Sequence, residues 1–409
     1  MNNLLAVDKI KLLQNGNVTS PIGFSAGGLH CGIRKKKYDL GWLYSAKPAT
    51  ATGVYTTNLF QAAPLQVTQE SMANGQCLQA VLVNSGIANA CTGEEGLANA
   101  YEMRKIFAEK LNISTCDAAV ASTGLIGEQL PMDKVRSGID QINQQDSNQA
   151  NHFETAILTT DTKEKKIAVT FEIDGKKVTI GGAAKGSGMI NPNMATMLGF
   201  ITTDANVSQV DLEQALKQHT NQSFNMITVD GDTSTNDMVL VLANGMAENE
   251  LLDQQHPEWD VFLEGLYIVC EVLAKEIARD GEGASKLVEV QVEGAITNES
   301  AQVISKKIIS SNLVKTAIHG SDPNWGRIIT AIGYSGQMLN PSEVCVSVGT
   351  IEVVRDGMPL LFDEEKAKAY LSQDSVTIHA KVGNGNGKAV AWGCDLSYEY
   401  VRINASYRT

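Results

Sequence analysis

The stretch Lys165–Gly182 reads KKIAVTFEIDGKKVTIGG, two alternating apolar and polar runs that meet at Asp174-Gly175. An Asp-Gly pair between such runs favours a tight two-residue turn, so the stretch predicts an antiparallel β-hairpin. Hairpins argue against a purely parallel sheet, in which each strand needs a long crossover to reach the next. Outward from the hairpin, strands are expected in GWLYSA from Gly41, QAVLVNSG from Gln79 and AAVASTGLIG from Ala118. Others are expected in MLGFITTD, DMVLVLANG, LVEVQVEGA, VCVSVGTIEVV and SVTIHAKVG. Helical spacing marks EEGLANAYEMRKIFAEKL from Glu94, and SQVDLEQALKQH with Ser208 as N-cap. It also marks PEWDVFLEGLYIVCEVLAKEIARD, where Pro257 stands near the start and Gly281 beyond the end. This last segment is apolar around much of its circumference and is expected inside a core. The pattern reads as an α/β (α+β) fold of layered sheets flanked by helices.

Composition narrows the function classes. Of 409 residues, 43% are hydrophobic and 19% charged, which fits a chain with a substantial core. A net charge of −13 disfavours nonspecific nucleic-acid binding while leaving room for a local basic pocket. The seven cysteines are scattered without a CxxC pair, and the six histidines form no ligand cluster, so no metal site is expected. Free thiols suit a reducing compartment. The opening MNNLLAVDKIKLLQNGN lacks the apolar core of a signal peptide, and no run approaches membrane-span length. A cytoplasmic location is expected.

Familiar site motifs fail one by one. GGAAKGSG has no GK[ST], GNGNGKAVAWG misses the dinucleotide fingerprint, and no GxSxG elbow occurs. His319, in HGSDPNWGRI, could serve as a base or simply fix a loop. There remains Lys185–Asp204, KGSGMINPNMATMLGFITTD, in which a glycine-rich run and Pro192 precede Ala195-Thr196. An internal threonine is a poor nucleophile. If its Oγ attacked the Ala195 carbonyl and water cleaved the resulting ester, Thr196 would gain an α-amine of pKa about 7.7–8.0, able to act as its own base. Such an attack needs an unusual backbone and a small preceding residue, which glycines, Pro192 and Ala195 could provide.

The segment KGSGMINPNMATMLGFITTD is similar to the cleavage and nucleophile motif of the ornithine acetyltransferase family, the bifunctional glutamate N-acetyltransferases. Other blocks agree in order: AVLVNSGIANACTG, ASTGLIGEQLP, ILTTDT, VDGDTSTND, ARDGEGASK, HGSDPNWGRI and WGCDLSYEYVRINASYRT. The resemblance spans nearly the whole chain. It implies the N-terminal-nucleophile type of fold, termed the DmpA/ornithine acetyltransferase fold. It also implies self-cleavage between Ala195 and Thr196 into an α chain (1–195) and a β chain (196–409), intertwined as an α2β2 heterotetramer.

By the same resemblance, Thr196 takes the acetyl group from N²-acetyl-L-ornithine and passes it to L-glutamate. Thr123 and Gly124 match the oxyanion hole, although a Thr-Gly at a strand end also makes an ordinary turn. Thr159, Lys185, Thr196, Glu282, Asn404 and Thr409 match substrate-binding positions. Lys185 suits a carboxylate and Glu282 an ammonium group. The tail CDLSYEYVRINASYRT alternates aromatic and apolar residues, so a strand delivering Thr409 to the pocket is expected. No cofactor is implied, with acetyl-CoA an alternative donor in some members. Two competing readings remain: a threonine-nucleophile aminopeptidase or amide hydrolase, which would release acetate, and a noncatalytic amino-acid-binding protein, which would stay uncut.

Overall fold

A computed structural model describes residues 9–75, 77–143, 149–191 and 197–406. The predicted hairpin is present. Asp174 and Gly175 take φ of 50° and 68°, the left-handed pair that a tight hairpin turn requires. Around it, a first sheet draws on β1 (Lys11–Leu12), β2 (Phe24–Leu29), β3 (Leu40–Tyr55), β4 (Cys77–Ile87) and β5 (Ala118–Leu125). The hairpin supplies β6 (Lys165–Ile173) and β7 (Lys176–Lys185), and β8 (Leu198–Thr203) follows. After the short β9 (Ile227–Thr228), which belongs to a second sheet, β10 (Met238–Ala243) completes the first.

Strand order in the first sheet is β1-β6-β7-β8-β10-β3-β4-β5, with β2 also on β3. β8 runs antiparallel to β7 and parallel to β10, and β10 runs antiparallel to β3. Every residue of β8 and β10 is buried. The two strands that follow Thr196 in sequence therefore sit in the middle of a sheet whose other strands all precede it.

The second sheet is built wholly from later residues: β11 (Leu287–Ala295), β12 (Cys345–Val348), β13 (Ile351–Arg355), β14 (Met358–Pro359), β15 (Ser375–Lys381) and β16 (Gly387–Cys394), with β9. Its order is β14-β13-β12-β15-β11-β16-β9. VCVSVGTIEVV, read as one strand, is the hairpin β12–β13, because Gly349 at φ 58° turns the chain.

The helix Trp259–Arg279 lies between the sheets, touching β6 and β7 on one side and β11 and β16 on the other. This places one helix inside the layers as well as others outside them. Its contact with the first sheet depends on Gly182, where a Cβ would stand 2.8 Å from Leu273 and 2.9 Å from Val269. Side chains such as Phe262, Leu266, Leu273 and Ile277 are fully buried, each contributing about 1.5–3 kcal/mol by leaving water. On β16, Trp392 meets this helix through Lys275, 5.0 Å from its ring, while Gly393 faces Ile309 of the helix Asn298–Ser310. Alternate residues of one strand thus serve two helices on opposite faces.

One expectation holds in position only, and another is corrected. Ser208 stands at the N-cap of Gln209–Gln222, but its side chain accepts no capping hydrogen bond. The tail forms the helix Tyr398–Ser406 instead of a strand. Ser397 starts it, accepting the Glu399 N–H at 3.1 Å and donating to the Gly283 carbonyl at 2.6 Å. Tyr400 and Asn404 then share one face at i, i+4 spacing, which the apparent alternation concealed.

Candidate active site

Near the ends of β5, β7 and β8 lies a cavity of about 210 Å³. Its lining includes Thr123, Gly124, Thr159, Lys185, Glu282 and Asn404, the six expected site residues that fall among those described. Met197 and Leu198 line it too, so the chain enters this cavity immediately after Thr196. Ala195, Thr196 and Thr409 lie outside the described residues.

Thr123 and Gly124 are placed by a strand-end irregularity. The β4–β5 register shifts at Gly86 and Ile87, with Gly86 opposite Gly124 and both at positive φ, 103° and 131°. Bulges of this kind re-aim backbone and side chains at the rim of a sheet. Asn236 secures the arrangement by donating to the carbonyls of Ala88 (2.6 Å) and Ser122 (2.8 Å).

Lys185 ends β7 with its side chain turned inward. Its Nζ donates to Thr159 Oγ1 at 2.9 Å and Thr123 Oγ1 at 3.3 Å, and stands 3.9 Å from the Asp161 carboxylate. Burial lowers its pKa, opposed chiefly by Asp161. Asp161 is 4% exposed; burial disfavours its charge, yet Lys185 and Lys165 outweigh that and hold it well below the usual carboxylate range.

Across the cavity, Glu282 sits on the turn after the interior helix. Its N–H donates to the Ser187 carbonyl (2.9 Å), and Asn404 Nδ2 donates to its Oε2 (2.8 Å). Replacing Asn404 with alanine leaves this buried carboxylate short of a donor. The expected result is a rise of about tenfold in KM for any substrate whose cation meets this carboxylate, within the range for a hydrogen bond to a charged group. Steady-state kinetics on the purified variant check this; an unchanged KM would separate Asn404 from the site.

The segment leading to the proposed scission point is also pinned. Met189 adopts φ 56°, a strained value for a side chain of this kind, and Asp230 accepts its N–H (2.7 Å) and that of Ile190 (2.9 Å). Ile190 O accepts the Val229 N–H at 2.7 Å, and Asn191 O accepts Thr233 Oγ1 at 3.0 Å. Downstream, Met197 O accepts the Met238 N–H at 2.9 Å. Both flanks of the junction are thus anchored to residues 229–238.

Sequence reasoning missed Asp161, Lys165, Asp230, Asp280 and Tyr400. Each lies in or beside a quoted block; what was absent was any sign of which acidic residue turns inward. His319 is not at the cavity lining; its Nδ1 meets Asp395 at 2.7 Å, fixing a helix end. A larger cleft, about 1020 Å³, lies over the second sheet and includes His219, Tyr267 and His379. None of the expected site residues among those described lines it. The one metal-type grouping among the described residues, Asp174, His256 and Glu258, is tied up internally: the Asp174 N–H donates to Glu258 at 2.7 Å.

A buried ammonium at one end and a buried carboxylate at the other suit a small molecule carrying both charges, with hydroxyl and backbone donors beside the reacting group. That is the equipment of an enzyme handling an amino acid. The ArgJ family model matches residues 25–409, and the chain belongs to the ArgJ family. It is an acetyltransferase of arginine biosynthesis.

A relative from Oceanobacillus iheyensis, an arginine biosynthesis bifunctional protein ArgJ, is 60% identical over 403 residues, covering 98% of this chain and 99% of its own. The protein of the same name from Staphylococcus saprophyticus is 56% identical over 412 residues, covering 100% of both. A crystal structure of arginine biosynthesis bifunctional protein ArgJ from Bacillus halodurans is 55% identical, with a TM-score of 0.51. It covers 52% of this chain and 100% of the solved one.

Proposed function

We propose that this chain cuts itself between Ala195 and Thr196, and that the freed Thr196 carries an acetyl group from N²-acetyl-L-ornithine to L-glutamate. The observation that carries the reading is the convergence of Thr123, Gly124, Thr159, Lys185, Glu282 and Asn404 on one cavity whose wall continues into Met197. The half-length solved chain supports the cut, since residues 196–409 would make up about half of this sequence.

In the first half-reaction, Thr196 Oγ attacks the acetyl carbonyl carbon and its proton passes to the Thr196 α-amine. Thr123 Oγ1–H and the Gly124 N–H stabilise the resulting oxyanion. Collapse breaks the C–N bond, the proton moves to the departing α-nitrogen, and ornithine leaves behind an acetyl ester. Glutamate's α-amine then attacks that ester and the steps reverse, giving N-acetylglutamate. Lys185 anchors the α-carboxylate that both substrates share, with Thr159 beside it. Glu282, held by Asn404, meets ornithine's side-chain ammonium, and Thr409 completes the site from the C-terminus.

The word bifunctional in the relatives' name accords with acetyl-CoA as a second donor. No helix among the described residues is long and apolar enough to cross a membrane. An α2β2 assembly follows if two cut molecules pair. Incubating the protein with acetylornithine and glutamate tests the reaction: ornithine and acetylglutamate should form in equal amounts. Acetate as the main product would make the protein a hydrolase, and no turnover of either kind would end the proposal.

A further inference from the structure

Behind the cavity wall runs a buried ionic chain of Asp161, Lys165 and Asp280, none of which lines the cavity itself. Asp161 Oδ1 accepts the Gly186 N–H (2.7 Å) and Lys165 Nζ (2.8 Å), and its Oδ2 accepts the Thr159 N–H (2.9 Å). Lys165 Nζ continues to Asp280 Oδ2 at 2.6 Å. Asp280 also accepts the Thr162 N–H (3.0 Å), and its carbonyl accepts Ser187 Oγ (2.7 Å). Two residues on stands Glu282, whose own N–H returns to Ser187 O. Lys185 and Glu282 are therefore fastened to one network through Gly186, Ser187 and Asp280.

The network balances electrically: two carboxylates, Asp161 and Asp280, face two ammonium groups, Lys165 and Lys185. Each charge therefore has an opposite one beside it, which offsets the cost of burying it. The proton geometry is consistent with this. Lys185 carries three donors, and two of them go to hydroxyl oxygens. Thr123 and Thr159, acting as acceptors, each keep a proton to give away. That of Thr159 points to Asp161 at 3.5 Å, and that of Thr123 is free to serve the cavity.

We propose that Asp161 is a positioning residue for acetyl transfer: it holds Lys185 as an ammonium directed at Thr123 and Thr159, while Lys165 links it to Asp280 so that both ends of the cavity keep a fixed separation. The proposal rests on the transfer chemistry given above, in which Thr123 donates to the oxyanion and Lys185 holds the substrate carboxylate. Besides Asp161 and Lys165, the charged groups among the described residues that act on Lys185 are Asp237 and Glu282.

The test is the pH dependence of kcat/KM for acetylornithine, measured on full-length enzyme that has processed itself. Titrations of the donor are common to every variant, so a shift between variants belongs to the protein. Lys185 must be charged to act, and its deprotonation ends activity on the alkaline side. Asp161→Asn removes the charge that favours the ammonium, so the alkaline limb should move to lower pH by about one to three units. Lys165→Met removes a like charge, so its limb should move to higher pH. A purely structural role moves neither limb, or moves both the same way, and either outcome overturns the proposal. If Asp161→Asn does not fold, the Lys165→Met limb decides alone: a rise supports the proposal, and no change or a fall refutes it. A wild type that makes no acetylglutamate removes the transfer reading and this one with it. A wild type that does, with variants sharing its limb, removes only this one.

Discussion

Thr196→Ala is expected to give a single uncut chain without acetyl transfer, where the wild type gives two fragments. The reason is that, in the proposed mechanism, one oxygen does two jobs. Without Oγ there is no attack on the Ala195 carbonyl, so the peptide bond survives and no α-amine is released. Without Oγ there is also no atom to carry the acetyl ester. Loss of the covalent nucleophile in a serine protease lowers turnover by roughly a millionfold, and a loss of that order is expected here. Thr196→Ser keeps the hydroxyl and should still cut, more slowly if the threonine methyl helps hold the attacking rotamer. Intact mass and a product assay on the same samples read both effects. A wild type that stays whole yet turns over would refute the N-terminal-amine mechanism, and so would an alanine variant that cuts.

Gly124→Ala should cost about a hundred- to a thousandfold in kcat, the range for losing one oxyanion donor. The position is closed to a side chain twice over. Its φ of 131° is a region that residues with a Cβ rarely enter, and a Cβ there would stand 2.3 Å from the Gly86 carbonyl carbon. That neighbour is backbone, so it cannot swing aside as a side-chain end could. The ends of β4 and β5 must part, taking the Gly124 N–H and Thr123 with them. Gly127→Ala is the control: its φ is 84°, but nothing lies within 4 Å of the added carbon. It should cost only about 1–2 kcal/mol of left-handed strain, with kcat near wild type. Thermal unfolding and kcat on both variants make the comparison. Equal kcat losses in the two would detach Gly124 from the oxyanion.

Much of the fold was readable wherever a local rule acts alone. Asp174-Gly175 fixes its own turn, and the apolar residues around much of Trp259–Arg279 announce a helix packed within the layers. The tail misled because Tyr398, Tyr400 and Val401 imitate a strand, whereas the contact that matters is Tyr400 with Asn404 one helical turn apart. Sequence also could not order the strands, since nothing local tells β8 and β10 to insert between β7 and β3. At the site, the resemblance supplied the residues expected to meet the ligand, and the structure gathers those described into one cavity. It could not supply Asp161, Lys165 or Asp280, whose importance comes from the Asp161–Lys165 pair meeting Asp280, 115 residues beyond Lys165. A lone acidic residue in ILTTDT or ARDGEGASK looks solvated until the fold removes the solvent.

The insertion of β8 and β10 between β7 and β3 has a kinetic consequence. While the chain is continuous, folding is a unimolecular search. Once it is cut at Thr196, the same sheet can be rebuilt only if two separate polypeptides meet and thread one pair of strands into the centre of the other's array. Recovery after denaturation should then depend on protein concentration, and scission would act as a ratchet, leaving a molecule that persists through slow unfolding more than through ready renaturation.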